Sequence, residues 1–195
     1  MYGTTGYGRF LDREQHTNNH TQTTRTADQE ALPVTIWRPA DGRDVAAIVD
    51  MAVQGFQCEI DAIFTPDPVA YSRNVTLAVI RQFYGPSTEL FSVAIDDEDR
   101  VIAYVWAGRN ERAPWSDDEM VVVRMAHVDM TLPTRTRIRL IQDMIGLWEQ
   151  WARLCQVPIV CSSTVRGDQA AFLRIHSQAG YDVRGSYAYK RLIQG

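Results

Sequence analysis

A chain of 195 residues with 45% hydrophobic and 23% charged side chains has the makeup of one globular domain with a full core, and is short for two. Its formal net charge of −4 gives no global basic field, which argues against a protein that recruits nucleic acid or anionic lipid by bulk charge. No run approaches the roughly 20 apolar residues of a membrane span, and the first residues lack the apolar stretch of a secretory leader.

Residues 1–32 differ from everything after them. The opening MYGTTGYGRF is rich in Gly, Tyr and Thr, and HTNNHTQTTRTADQE is almost wholly polar. A segment of that kind buries too little apolar surface to offset its ordering entropy, so it orders only against another surface. The expected division is an extended N-terminal arm over 1–32 and a folded domain over 33–195. Tyr2, Tyr7 and Phe10 are the arm's candidate anchors, either along its own domain or on neighbouring subunits.

From Pro33 the pattern is regular. VTIWR (34–38) alternates as a strand. Asp41 and Asp44 precede a helix whose Val45, Ile48, Val49, Ala52, Val53 and Phe56 recur at helical spacing. TPDP then leads into a second helix over 68–84, stopped by Gly85-Pro86. Strands at 90–96 and 100–109 flank the acidic turn DDED as a hairpin. After NERAPWSDDE a long strand is expected over 120–131, halted near Pro133.

The helix expected over 135–154 carries two apolar faces. One has Ile138, Ile141, Ile145, Trp148 and Ala152; the other has Leu140, Met144, Leu147, Trp151 and Leu154. Stripes that wide predict burial on more than one side. PIVCS reads as a short strand, 168–179 as a helix closed by Gly180, and 181–184 and 186–192 as final strands. The alternation β-α-α-β-β-β-α-β-α-β-β implies a mixed α/β fold.

Among the basic residues Lys190 is the lone lysine. Arginine presents a planar fork suited to carboxylate and phosphate, although codon usage in a GC-rich genome gives the same bias. Cys58, Cys155 and Cys161 are odd in number and lack metal-ligand spacing, so they read as small core residues in a reducing compartment.

The element order, with PIVCSSTV, FLRIHSQAGY, GSYAYKRL and the opening VTIWRPADGRDVAAIV, resembles the GNAT superfamily of acetyl-CoA-dependent N-acyltransferases over residues 34–192. The resemblance implies a mixed, mostly antiparallel central sheet flanked by helices. It also implies a glycine-rich turn between the fourth strand and third helix, where backbone N–H groups meet the coenzyme's diphosphate. Here that stretch is Leu132-Pro133-Thr134-Arg135-Thr136-Arg137-Ile138-Arg139, without a glycine. The helix dipole with Arg135, Arg137 and Arg139 can still draw an anion to the turn of Thr134, Thr136 and Ile138. The same arginines also read as partners for carboxylates, or as a solvated helix start.

For proton transfer, His127 and Asp129 lie two apart on the expected fourth strand and so share a face. The resemblance makes either a candidate base; a satisfied hydrogen-bonded pair is the plainer reading. Where the family has a tyrosine acid, four residues before Gly180, this chain has His176. These departures imply a fold retained without its coenzyme. The expected function is then a non-catalytic structural or assembly component, resembling degenerate GNAT-like proteins of tailed phages, that grips subunits of a larger assembly through residues 1–32. It would reside in a host cytoplasm or a virion. The alternative is an active N-acetyltransferase that uses acetyl-CoA on a primary amine.

Overall fold

A computed structural model describes residues 35–59, 64–164 and 169–185. The arm with Tyr2, Tyr7 and Phe10 and the expected strand at 186–192 lie outside the described residues. The elements are β1 (Ile36–Pro39), α1 (Val45–Glu59), α2 (Pro68–Tyr84), β2 (Glu89–Ile95), β3 (Val101–Arg112), β4 (Glu119–Val128), α3 (Thr134–Leu154), β5 (Ile159–Cys161) and α4 (Ala170–Gln178). They build the expected mixed α/β architecture around one five-stranded sheet of order β1-β2-β3-β4-β5. Every neighbouring pair is antiparallel except β4 with β5, which run parallel through the α3 crossover.

Local chemistry sets the boundaries. Asp67 caps α2, its Oδ1 accepting from the N–H groups of Val69 and Ala70 at 3.0 Å each, with Pro68 at the first turn. At the start of α1, the buried Asp44 carboxylate takes both forks of Arg38 at 2.7 and 2.8 Å and the N–H of Asp41 at 2.8 Å. That triple contact ties β1 to the helix. The β2–β3 turn is held by Asp96 Oδ1, which accepts from the N–H groups of Glu98 and Arg100, with Asp99 at φ 61. Gly180, at φ +87, ends α4, and the N–H of Tyr181 returns to the His176 carbonyl at 3.0 Å.

Two cores sandwich the sheet. On one face α1 and α2 pack Ile48, Ala52, Phe56, Tyr71, Val75 and Ala78 against Phe91, Val93 and Tyr104. On the other, α3 places Leu140, Met144, Ile145, Trp148, Trp151 and Ala152 on Val105, Val121, Val123 and Val128, joined by Ile175 of α4.

Several expectations need correction. Both stripes of α3 reach the core, Ile145, Trp148 and Ala152 from one and Leu140, Met144 and Trp151 from the other, but Ile138 and Leu154 stay 39% and 75% exposed. β4 stops at Val128, three residues short of the expected end, because Asp129 folds its carboxylate back onto Thr131. Residues 181–184 form no strand. Cys155 and Cys161 are free thiols and only half-buried, with Cys155 at the margin of the α3 core. None of the described helices is long and apolar enough to cross a membrane.

Candidate functional site

Two irregularities in β4 create the site. The first is a fork. β5 pairs with β4 only at Met120↔Ile159, Val121↔Val160 and Val122↔Cys161, so beyond this point β4 continues along β3 while β5 has ended. Had pairing continued, Ser162 would lie opposite Val123. The stretch Val123–Val128 therefore presents a strand edge with no ladder partner on its β5 side among the described residues.

The second is a β-bulge. Trp106 pairs with Met125 but Ala107 pairs with Val123, which leaves Arg124 as an extra residue. Side chains alternate along a strand, so one inserted residue reverses which face the rest address. Val121 and Val123 belong to the α3 core, whereas Met125 packs with the α1/α2 core. Arg124 turns the same way, 5.8 Å above the Trp106 ring and across Gly108, where a Cβ would lie 2.8 Å from its Nε.

The bulge thereby delivers His127 to the α1/α2 face. Its ring stacks on Tyr104 at 5.8 Å and 13°, and is 5% exposed. Above it lies Gly55 of α1, where an added Cβ would sit 2.3 Å from Cε1 of the imidazole. Tyr104 shares a hydrogen bond of 2.9 Å with Tyr71, whose phenol is pushed up to about 12 by burial. Asp129 lies past the strand end. Its Oδ1 accepts from the N–H and hydroxyl of Thr131 at 2.8 and 2.7 Å, which opens the turn into α3.

At the head of α3, Pro133 provides no capping side chain, and the first intrahelical bond runs from the Arg137 N–H to its carbonyl at 3.1 Å. The N–H groups of Thr134, Arg135 and Thr136 precede it and have no intrahelical acceptor. Thr134 and Arg135 are exposed and Thr136 is buried. Among the described residues the Arg137 guanidinium donates to the Thr134 hydroxyl at 3.1 Å and the Met130 sulfur at 3.6 Å, and its Nε is buried without a partner. Arg139 is committed elsewhere, 2.9 Å from Thr35 Oγ1 and 3.9 Å from Asp143. Ile138 is exposed. The turn has no positive φ, so its backbone path does not require glycine.

His176 lies on the opposite face from His127, in α4, and is 4% exposed. Its Nδ1 is 3.0 Å from the Phe172 carbonyl and its Nε2 is 3.2 Å from Ser162 Oγ. A carbonyl only accepts, so Nδ1 carries the proton and Nε2 accepts from the serine hydroxyl. Trp148, Phe172 and Tyr181 enclose the ring, and burial holds its pKa below the ordinary 6.5. Tyr181 in turn accepts from Trp148 Nε1 at 2.7 Å and is pushed up to about 12, chiefly by burial.

The three proton-transfer candidates are thus divided: His127 on one face, His176 on the other, Asp129 in the turn between β4 and α3. Of the coenzyme candidates, the first-turn N–H groups and Arg137 converge, while Arg139 turns toward β1. Sequence reasoning missed Ser162 and the bulge at Arg124. PIVCS marks the end of a strand without showing that its neighbour continues, and no glycine announces the bulge. Among the described residues no group of three or more His, Cys, Asp or Glu could hold a metal ion.

No family model matches the chain, and no curated protein matches it. Solved structures do. An aminoglycoside N-acetyltransferase AAC(6')-Iy, in complex with CoA, superposes with a TM-score of 0.62 at 11% identity, covering 82% of this chain and 95% of that one. The aminoglycoside 6'-N-acetyltransferase AAC(6')-Ih from Acinetobacter baumannii gives 0.60 at 13% identity, covering 83% and 100%. A predicted acetyltransferase with acetyl-CoA from Clostridium acetobutylicum gives 0.62 at 11%, covering 82% and 97%. At such identities the likeness is one of architecture: this chain has the GNAT acetyltransferase fold.

Proposed function

We propose that this chain binds an acyl-CoA thioester in the fork between β4 and β5 and transfers its acyl group to an amine. The observation that supports this most is the start of α3. Three helix N–H groups without intrahelical acceptors stand beside Arg137, a guanidinium with no carboxylate partner among the described residues and a buried, unpartnered Nε. A diphosphate satisfies both at once, because the helix dipole and a fixed cation favour the same anion. The fork suits the rest of such a molecule: the open edge of Val123–Val128 offers main-chain groups to an extended amide chain. When bound, the thioester supplies an activated acyl carbon. The protein positions it, excludes water and moves one proton.

Calorimetric or thermal titration with acetyl-CoA tests this reading. A ligand that binds only the folded state stabilises it by about 2.7 kcal/mol at a hundredfold excess over Kd, a rise of several degrees for a domain of this size. Arg137→Glu is expected to abolish the rise. Arg153→Glu, in the last turn of α3, is expected to leave it intact.

A second reading is supported by the missing glycines: the exposed side chains of Thr134, Arg135 and Ile138 radiate from the turn where phosphate oxygens would approach. On that reading the fold has been turned to construction, with residues 1–32 gripping neighbouring subunits. No saturable stabilisation by acetyl-CoA, together with a larger assembly that is lost on deletion of residues 2–30, would favour it.

A further inference from the structure

We propose that Ser162 and His176 form a proton relay opening onto the fork, with Ser162 as the group that meets the reacting atoms and His176 as the positioning residue behind it. This inference rests on the acyl-transfer reading above. Ser162 is the first residue past the β4–β5 pairing, so it stands where the strands part. Its hydroxyl is 3.2 Å from His176 Nε2, while Nδ1–H is fixed on the Phe172 carbonyl at 3.0 Å. That carbonyl accepts and cannot donate, so the ring takes a further proton at Nε2, which among the described residues faces the serine hydroxyl.

The surroundings hold this arrangement. Phe172 lies 3.9 Å from the imidazole centroid, Trp148 stacks at 6.2 Å, and Tyr181 meets it edge-on at 5.1 Å. The titratable groups on the neighbouring elements are Tyr181 just past α4, the pair of Glu149 and Arg153 on α3, 2.7 Å apart, and the half-buried Cys161 of β5. Among the described residues, no carboxylate hydrogen-bonds the ring. It stays neutral at rest and is able to accept.

The relay balances within one turnover. As the amine nitrogen bonds to the acyl carbon, its proton passes to Ser162 Oγ while the serine's own proton passes to Nε2. As the carbon–sulfur bond breaks, Nε2 returns its proton to Oγ, and Ser162 passes one to the departing sulfur. One proton leaves nitrogen, one reaches sulfur, and nothing is oxidised or reduced.

The test uses the full chain with 15N-labelled histidine and CoA itself as the probe. The free protein is expected to show His176 as the neutral Nδ1–H tautomer. Saturating CoA, whose sulfur then lies against Ser162, shifts the Nε2 resonance. Ser162→Ala is expected to keep the CoA Kd within about twofold while losing that shift; Ser162→Thr, which retains a hydroxyl, keeps it. An Nε2–H tautomer overturns the proposal, and so does an undiminished Nε2 response in Ser162→Ala. CoA that perturbs the first turn of α3 but leaves His176 untouched overturns the relay alone. No perturbation at either place removes the acyl-transfer reading, and the relay with it.

Discussion

The two faces of the sheet each bury a histidine, one tightly crowded by a helix backbone and the other enclosed by aromatic rings. On the α1/α2 face His127 lies flat on Tyr104 beneath a helix glycine, with no room for an added methyl. On the α3/α4 face His176 spends both ring nitrogens on directional hydrogen bonds, so protonation state places it. Added volume at Gly55 should disturb the first, and the buried imidazole of the second should make stability depend on pH. A fold-level likeness reveals neither difference, because it concerns the backbone alone.

The broadest way to break the contrast is to hollow out the α3/α4 face. Trp148 is the largest fully buried side chain among the described residues and also donates to Tyr181. Trp148→Ala is expected to cost about 3–5 kcal/mol by urea unfolding and to release the ring contacts of His176. Next is volume on the other face. Gly55→Ala puts a methyl carbon 2.3 Å from Cε1 of His127, backed by Tyr104, and is expected to cost about 1–3 kcal/mol by the same measurement. His176→Ala should relieve no crowding at Gly55, so the two faces separate cleanly in a double variant.

The pH dependence sharpens the distinction. Burial lowers the His176 pKa in the folded chain below its unfolded value near 6.5. Between those two values the unfolded state binds more protons, so stability rises with pH there. This contribution is complete above about pH 6.5 and is lost as pH falls through the folded pKa. Unfolding free energies at pH 7.5 and 5.5 should therefore differ more in the wild type than in His176→Gln. The smallest effect is a control on a distant element: Asp67→Ala removes the α2 cap and is expected to cost about 1 kcal/mol, with no change in either histidine's resonances.

Legibility followed the reach of each signal. Both ends of α2 could be read because Asp67-Pro68 and Gly85-Pro86 act within one turn. The element order from β1 to α4 could be read for the same reason, whereas the strand expected at 181–184 did not form. The end of β4 was misread because HVDM continues a strand pattern until Asp129 bonds Thr131, a contact that local alternation does not encode. At the site, Arg137 could be proposed from its place at a helix start, but Arg139 looks identical in sequence and its diversion to Thr35 depends on β1, about a hundred residues away. Ser162 was invisible because its role depends on where β5 ends and on His176, which a later helix supplies.

The extra residue at Arg124 also shapes how this gene can vary. Deleting the codon for Ala126 would act as a parity error: His127 would take the place of Ala126 and Val128 that of His127, each turned to the other face of the sheet, whereas deleting Arg124 itself would only restore regular pairing. Substitutions at Arg124 leave the count intact and should be far milder. Length, not chemistry, is what this short run of main chain has to conserve.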